Sequence, residues 1–150
     1  MQGRWALWVR QNNRSLQQDS LLEAFLFGAN RKAVSVYAER FWHLQDRRCF
    51  YSGDRLSSPR SGEVDHFIPW SRYPCDSPFN LVLASKRENQ RLRDALKPPA
   101  MRQRWLARND AHLELFVAPE PEGFGAEKGD REAVRAVAGW VYGGGVRADL

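Results

Sequence analysis

The stretch EVDHFIPWSRYPCDSPFNLVLASKRENQRLRD, residues 63–94, decides how this chain is interpreted. It opens with EVDHFI, a strand candidate that contains an Asp-His pair, and continues through a loop stiffened by three prolines. The apolar run NLVLAS predicts a second strand, and SKRENQRLRDAL predicts a helix that follows it directly. Ser85 and Glu88 have the spacing of a capping box at the start of that helix, and Pro98-Pro99 should terminate it. The stretch therefore predicts two strands followed by a helix.

Polar side chains in this stretch are spaced so that they can meet. On the predicted helix, Asn89 shares a face with Leu92 and Leu96, and that face should pack on the strands. A buried amide must be hydrogen-bonded or must ligate an ion, because leaving it unpaired costs roughly 1–3 kcal/mol. A carboxylate from Asp65 and an amide oxygen from Asn89 would make an all-oxygen site that suits Mg²⁺. An imidazole beside them, His66, can take a proton from water near neutral pH.

Strand geometry raises one difficulty for this site. Successive side chains of an ideal strand point to opposite faces, which would separate Asp65 from His66. Both can serve one site only if the strand bends there or the site straddles its edge. Pro69, shortly afterwards, favours a bend.

The ordered set of motifs resembles the HNH endonuclease family. The Asp-His-hydrophobic-hydrophobic-Pro run, the Asn-Leu-Val-Leu run and the Asn after the second strand match that family in order and spacing. The resemblance covers about residues 47–95 closely. Residues 10–46 are similar, less specifically, to the helical lead-in of some bacterial HNH proteins. The family's core is a β-hairpin followed by a helix around a single metal ion, so the resemblance implies a ββα-metal fold of the α+β class.

The resemblance also implies roles for individual residues. His66 would be the general base that activates water, and Asp65 and Asn89 would ligate one Mg²⁺ or Mn²⁺ ion. Asn80 would hold the loop that carries His66 and orient the imidazole through hydrogen bonding. The metal would act as a Lewis acid on the scissile phosphate. Trp70, in the loop after the first strand, would lean on the nucleic acid or pack in the core. Four basic residues of the helix would contact flanking phosphates: Lys86, Arg87, Arg91 and Arg93.

The chain departs from the family at the positions of a structural zinc. Many HNH proteins hold that zinc with two Cys-x-x-Cys pairs around the hairpin. Here the first pair is Cys49 and Ser52, and the second pair falls at Ser85 and Glu88. Hydroxyls are poor zinc ligands, so we expect no structural zinc. The family also often has a lysine where Leu92 stands, and the adjacent arginines would replace its charge.

Composition and charge set limits on the function. The 150 residues suit one compact domain, and the 43% hydrophobic content can build a core. Two cysteines are too few for a disulfide framework, and no apolar run is long enough to cross a membrane, so we expect a cytoplasmic protein. The net charge is +5. Eight basic residues in 86–108 precede an acidic segment at 109–132, a distribution typical of a polyanion-binding face or of a solvated helix.

Helices are predicted on both sides of the motif. One should span about residues 14–29 and another about 31–47. After the motif, MRQRWLARN predicts a further helical piece. The segment 119–130 is rich in proline, glycine and acidic residues, which predicts a linker or surface loop. REAVRAVAGWVY, residues 131–142, predicts a last helix, and the glycine-rich end should fray.

These observations predict three regions: an N-terminal helical region at 1–46, the nuclease core at 47–97 and a C-terminal helical extension at 98–150. The expected function is metal-dependent hydrolysis of phosphodiester bonds in DNA, duplex or displaced strand. RNA as substrate, a homodimer and a larger assembly stay open. The rival hypotheses are a catalytically inactive nucleic-acid-binding module with the same fold, and a structural RNA- or protein-binding component of a larger complex.

Overall fold

The computed structural model describes the backbone of residues 35–148 and the side chains as far as residue 143. Within this part of the chain, short 3-10 turns precede the first helix and both strands. The helices and strands, in chain order, are α1 (Ala38–Leu44), β1 (Gly62–His66), β2 (Leu81–Ser85), α2 (Lys86–Leu92), α3 (Pro99–Ala111), α4 (Leu113–Val117) and α5 (Lys128–Ala148). The α+β class is confirmed, with a two-stranded antiparallel sheet among helices.

The two predicted strands pair in a register that brings the motif residues together. Glu63 lies opposite Ala84, and His66 lies opposite Leu81 at the other end of the ladder. The pairing begins at Gly62, where a Cβ would come within 2.8 Å of the Ala84 carbonyl oxygen. Only glycine allows the strands to approach so closely there. The turn that precedes the sheet contains Gly53 at a φ of 77°, a conformation that glycine adopts without steric cost.

The core lies around β2. Its first four residues, Leu81 to Ala84, are completely buried, as expected for a strand covered on both faces. The Phe67 ring stacks on Trp105 of α3, with ring centroids 4.2 Å apart. Aromatic rings from α1, the turn before β2, α4 and the segment before α5 form a second cluster: Phe41, Phe79, Phe116 and Phe124. These helices hold the sheet in place and thus position the motif.

Side chains close the edge of β2 that β1 leaves open. The Gln45 amide accepts from Leu83 N at 2.9 Å and donates to Leu83 O at 2.8 Å, so it pairs as a backbone neighbour would. Phe50 N also donates to Leu83 O. Further along the edge, Arg108 donates to Leu81 O at 2.7 Å. A two-stranded sheet thereby leaves few unpaired groups on its outer edge.

The helix ends differ from the sequence predictions around the motif. The helix expected to span 31–47 ends at Leu44. The helix after β2 starts as predicted, with Ser85 Oγ accepting from Glu88 N, but it ends at Leu92. Arg93 takes a positive φ of 44° and ends the helix five residues before the two prolines. Leu96 is therefore not on the helix face that was expected to pack on the strands, and 37% of it is exposed.

The flanking regions show three further differences. Pro98 and Pro99 start α3 as its cap and first residue, since a proline at that position gives up no helical hydrogen bond. The segment 119–130 is anchored and is no free linker, because Phe124 within it is buried in the aromatic cluster. The last helix begins at Lys128 and continues through the glycine-rich end to Ala148, where fraying was expected. The helix predicted at 14–29 lies outside the described residues.

Two members of the basic segment are interior residues. Lys97 is 3% exposed, and its Nζ donates to Phe67 O at 2.9 Å. Arg108 is also buried and donates to backbone carbonyls, including Leu81 O. Burial lowers the pKa of Arg108 to about 9, so the guanidinium stays charged at neutral pH. The segment 86–108 is therefore not one continuous face for a polyanion. Along the described chain, no helix is both long and apolar enough to span a membrane.

Candidate active site

A cavity of about 560 Å³ lies where β1, the following loop and α2 meet. We call it the β1–α2 cavity. Its walls include six of the polar and aromatic residues that matter below: Glu63, Asp65, His66, Trp70, Asn89 and Arg93. Asp65 and His66 both line this cavity, and His66 is the last residue of β1. The two side chains thus reach one cavity despite the alternation of an ideal strand.

The His66 ring is held from two sides. Only 6% of the residue is exposed, and Nε2 lies 2.8 Å from Asp76 Oδ1. Its ring also contacts the Trp70 ring edge to face, with centroids 5.3 Å apart. An ionised carboxylate can only accept, so the nitrogen facing Asp76 carries the proton. The other nitrogen, Nδ1, then keeps its lone pair.

Asp65 is a buried carboxylate with two stabilising neighbours. The Tyr51 hydroxyl donates to its Oδ2 at 2.6 Å. Burial raises the pKa of Asp65, while the positive charge of Lys97 and the Tyr51 hydrogen bond oppose that rise. Burial also lowers the pKa of Lys97, and the negative charge of Asp65 opposes that change. Each of the two groups therefore favours the charged form of the other.

Asn89 reaches the cavity from α2. Its Nδ2 donates to Glu63 Oε1 of β1 at 3.0 Å, which ties the helix to the strand. Among the residues that the structure describes, none donates a hydrogen bond to Asn89 Oδ1. Asp65 and Asn89 thus present oxygens to one cavity from two different elements.

Asn80 lies behind the cavity and not in its wall. It is completely buried at the start of β2. Its Oδ1 accepts from Ile68 N at 2.9 Å, and its Nδ2 donates to Ile68 O at 3.3 Å and Cys75 O at 3.2 Å. Phe67 N donates to its backbone oxygen. One amide therefore fastens the loop that begins directly after His66. The expectation that Asn80 hydrogen-bonds the imidazole is wrong, because among the described residues the ring's hydrogen-bond partner is Asp76.

Comparison with known proteins identifies the same segment of the chain as the sequence motifs do. The model of a family described as HNH endonuclease matches residues 49–96, a third of the chain. Residues 49–96 form an HNH endonuclease domain. No curated protein matches the chain. The family assignment made from the motifs is confirmed, and it indicates a nuclease domain in general terms.

The oxygen donors of the HNH domain fit a hard divalent cation. No group of three or more His, Cys, Asp and Glu side chains suited to a metal occurs in the described part of the chain. The donors that line the β1–α2 cavity are instead mixed: the carboxylates of Asp65 and Glu63 and the amide of Asn89. Mg²⁺ is commonly held by one or two carboxylates, with water and substrate phosphates completing its coordination.

The positions of the family's structural zinc are joined by hydrogen bonds here. Cys49 is buried, and Ser85 N donates to its Sγ at 3.3 Å. Ser85 Oγ accepts from Glu88 N and so caps α2. The backbone of the turn contributes as well, since Cys49 N donates to Asp54 O at 2.8 Å. The turn and the start of α2 are thus connected directly.

The four predicted phosphate-contacting residues do not share one environment. Arg93 lines the β1–α2 cavity, but it follows α2 instead of lying on it. Lys86 lines a neighbouring groove with Glu63 and Asn89. Arg91 forms an exposed ion pair with Glu88 at 2.7 Å, so its charge is partly engaged within the helix. The expectation of three arginines on one helix is wrong for Arg93, because the chain turns there.

Four polar residues around the site were missed by the sequence analysis: Tyr51, Glu63, Asp76 and Lys97. Glu63 had a usable signal, because it stands two residues before Asp65 and so shares its strand face. The others approach from a turn, a loop and the segment after α2, and no periodic pattern links them to the motif. His43 and His112, the remaining histidines, are exposed and lie outside the cavity wall.

Proposed function

We propose that this protein is a metal-dependent endonuclease that hydrolyses phosphodiester bonds in DNA, with His66 as the general base. The observation that carries the proposal is the shared cavity, to which β1 contributes Asp65 and His66 and α2 contributes Asn89. A base and a pair of oxygen ligands at one site are what phosphodiester hydrolysis by an activated water requires.

His66 would take the proton from the attacking water through Nδ1. Asp76 supports this role, because its carboxylate accepts from Nε2 and fixes which nitrogen is free. Asn80 would act indirectly, by holding the loop after His66 through Ile68 and Cys75. Neither residue needs to touch the substrate.

Asp65 and Asn89 would hold one Mg²⁺ or Mn²⁺ ion. The bound cation would supply Lewis-acid stabilisation of the charge that develops on the phosphate and the leaving oxygen. Asp65 would contribute negative charge, and Lys97 and Tyr51 oppose the rise in its pKa that burial causes. Asn89 contributes a neutral oxygen from a helix that begins directly after β2.

Basic side chains at the rim would grip the DNA backbone. Arg93 lies in the cavity wall, and Lys86 lines the adjoining groove. Arg87 and Arg91 follow on the exposed side of α2, where they would meet flanking phosphates. Trp70 would have a mixed role, since its ring packs against His66 at the cavity wall.

A plasmid nicking assay tests the proposal. Purified protein is incubated with supercoiled DNA in Mg²⁺ or Mn²⁺, with and without a chelator. We expect nicking that the chelator abolishes, that His66→Ala reduces by about 10²–10⁴-fold, the range for a lost general base, and that His43→Ala leaves unchanged. Binding of DNA without metal-dependent cleavage by the intact protein would refute the nuclease and favour the inactive binding module.

A further inference from the structure

Glu63 is a carboxylate in the β1–α2 cavity to which the proposed mechanism gives no role. It lies two residues before Asp65 on β1, so both side chains leave the strand on the same face. Its Oε1 accepts from Asn89 Nδ2 at 3.0 Å, and this bond joins residues 26 positions apart in the chain. Both partners line the same cavity. The hydrogen bond between Glu63 and Asn89 therefore lies within the proposed active site.

The chemistry of this contact fixes how the Asn89 amide is turned. An amide has a donating end and an accepting end, and its terminal torsion has two nearly equivalent orientations. An ionised carboxylate can only accept, so Glu63 selects the orientation in which Nδ2 faces β1. The oxygen must then point away from Glu63. No described residue donates to that oxygen, which leaves it free to ligate an ion.

We infer that Glu63 is a positioning residue that turns the oxygen of Asn89 toward the metal. The inference rests on the proposed function, because it takes Asp65 and Asn89 as the ligands. Glu63 acts through Asn89, in the way that carboxylates outside a coordination shell orient metal-bound histidines. Loss of such a partner weakens metal binding about 10- to 100-fold in known sites.

Titration of the intact protein with Mn²⁺, followed by calorimetry or by electron paramagnetic resonance of free Mn²⁺, tests the inference without measuring cleavage. We expect Glu63→Leu to weaken Mn²⁺ binding at least about tenfold. Glu63→Gln keeps an oxygen that accepts from Asn89 Nδ2, so it should lose only a few-fold. Glu114→Leu, a carboxylate removed on α4 outside the cavity, is the matched control and should bind as the wild type does.

A double substitution separates positioning from direct ligation. Asn89→Asp places oxygen at both ends of the side chain, so its orientation no longer matters. In that background, Glu63→Leu should cause no loss of Mn²⁺ affinity and should relieve repulsion between two carboxylates. An equal loss in both backgrounds would mean that Glu63 ligates the metal itself, which would overturn the inference. So would wild-type affinity in the single Glu63→Leu variant.

Asp65→Ala distinguishes failure of this inference from failure of the proposed function. If the wild type binds Mn²⁺ and Asp65→Ala does not, the metal site stands, and the Glu63 variants alone decide the inference. If the wild type shows no binding at low millimolar Mn²⁺, or if Asp65→Ala binds equally well, the metal site and the inference both fall. Thermal melting of every variant checks that the fold is retained.

Discussion

Tyr51→Phe offers the most direct test of how the protein sustains the buried carboxylate that we propose as a metal ligand. The substitution removes one oxygen and keeps the buried ring, so the core around it should not change. The lost hydroxyl donates to Asp65 Oδ2 at 2.6 Å. A hydrogen bond to a charged group contributes about 1.5–3 kcal/mol, and it favours the ionised form that binds metal. Partners of this kind outside a coordination shell contribute about 10- to 100-fold to metal affinity, so Mn²⁺ affinity should fall by about that factor.

The same hydrogen bond also determines the direction in which the pH dependence of Mn²⁺ binding should shift in Tyr51→Phe. Burial raises the pKa of Asp65 above its usual value, and the Tyr51 hydrogen bond opposes that rise. Metal binding needs the ionised carboxylate, so affinity is lost as the pH falls through the pKa of Asp65. Without the hydroxyl this pKa rises further, and the loss should begin at a higher pH in Tyr51→Phe than in the wild type.

Calorimetric Mn²⁺ titrations at several pH values measure both effects. Tyr37→Phe is the matched control, because the Tyr37 ring packs against Phe124 and lies away from the β1–α2 cavity. Unchanged Mn²⁺ affinity and an unchanged pH profile in Tyr51→Phe, with a normal melting temperature, would refute the reasoning. In that case Lys97 alone would keep Asp65 ionised.

Three further predictions concern the base, the core and the DNA grip. Asp76→Ala should lower the nicking rate at saturating DNA about tenfold or more, with DNA affinity unchanged, because it frees the His66 ring; equal losses of rate and affinity would contradict this. Arg108→Met should lower the free energy of unfolding in urea by about 1–3 kcal/mol, because Leu81 O loses its buried donor; an unchanged midpoint would contradict it. The third prediction replaces three arginines together with glutamine: Arg87, Arg91 and Arg93. The log–log slope of DNA affinity against salt concentration should flatten by about 0.9 for each phosphate that is no longer neutralised, and an unchanged slope would place these side chains away from DNA.

The sequence predicted the elements of the site well because they depend on local signals. Two short apolar runs and the Ser85–Glu88 spacing were enough to locate β1, β2 and the start of α2. The end of α2 was not predictable in the same way. Arg93 adopts a positive φ of 44°, which nothing in its residue type favours, and the chain leaves the helix there.

The polar partners of the site were harder to predict than its principal residues. Asp65, His66 and Asn89 belong to an ordered motif, whereas Tyr51 and Asp76 reach them from segments with no periodicity. Their contacts depend on how a turn and a loop fold back over the strands. A carboxylate such as Asp76 cannot be told from an ordinary loop residue until its distance to the imidazole is known. Charge was misleading for a related reason, since composition does not distinguish a solvated lysine from one buried beside a carboxylate.

The C-terminal region takes part in building the site, although the family match ends at residue 96. Side chains of helix α3 donate hydrogen bonds to the backbone on either side of Asn80. Trp105 Nε1 and Asn109 Nδ2 both donate to Phe79 O, at 2.7 and 2.9 Å, and Arg108 donates to Leu81 O at 2.7 Å. Asn80 in turn fastens the loop that follows His66. Replacing Arg108 by an apolar side chain, with the helix in place, would leave the buried Leu81 carbonyl without this donor, at a cost of about 1–3 kcal/mol. The geometry around His66 therefore depends on a helix that lies beyond the matched domain.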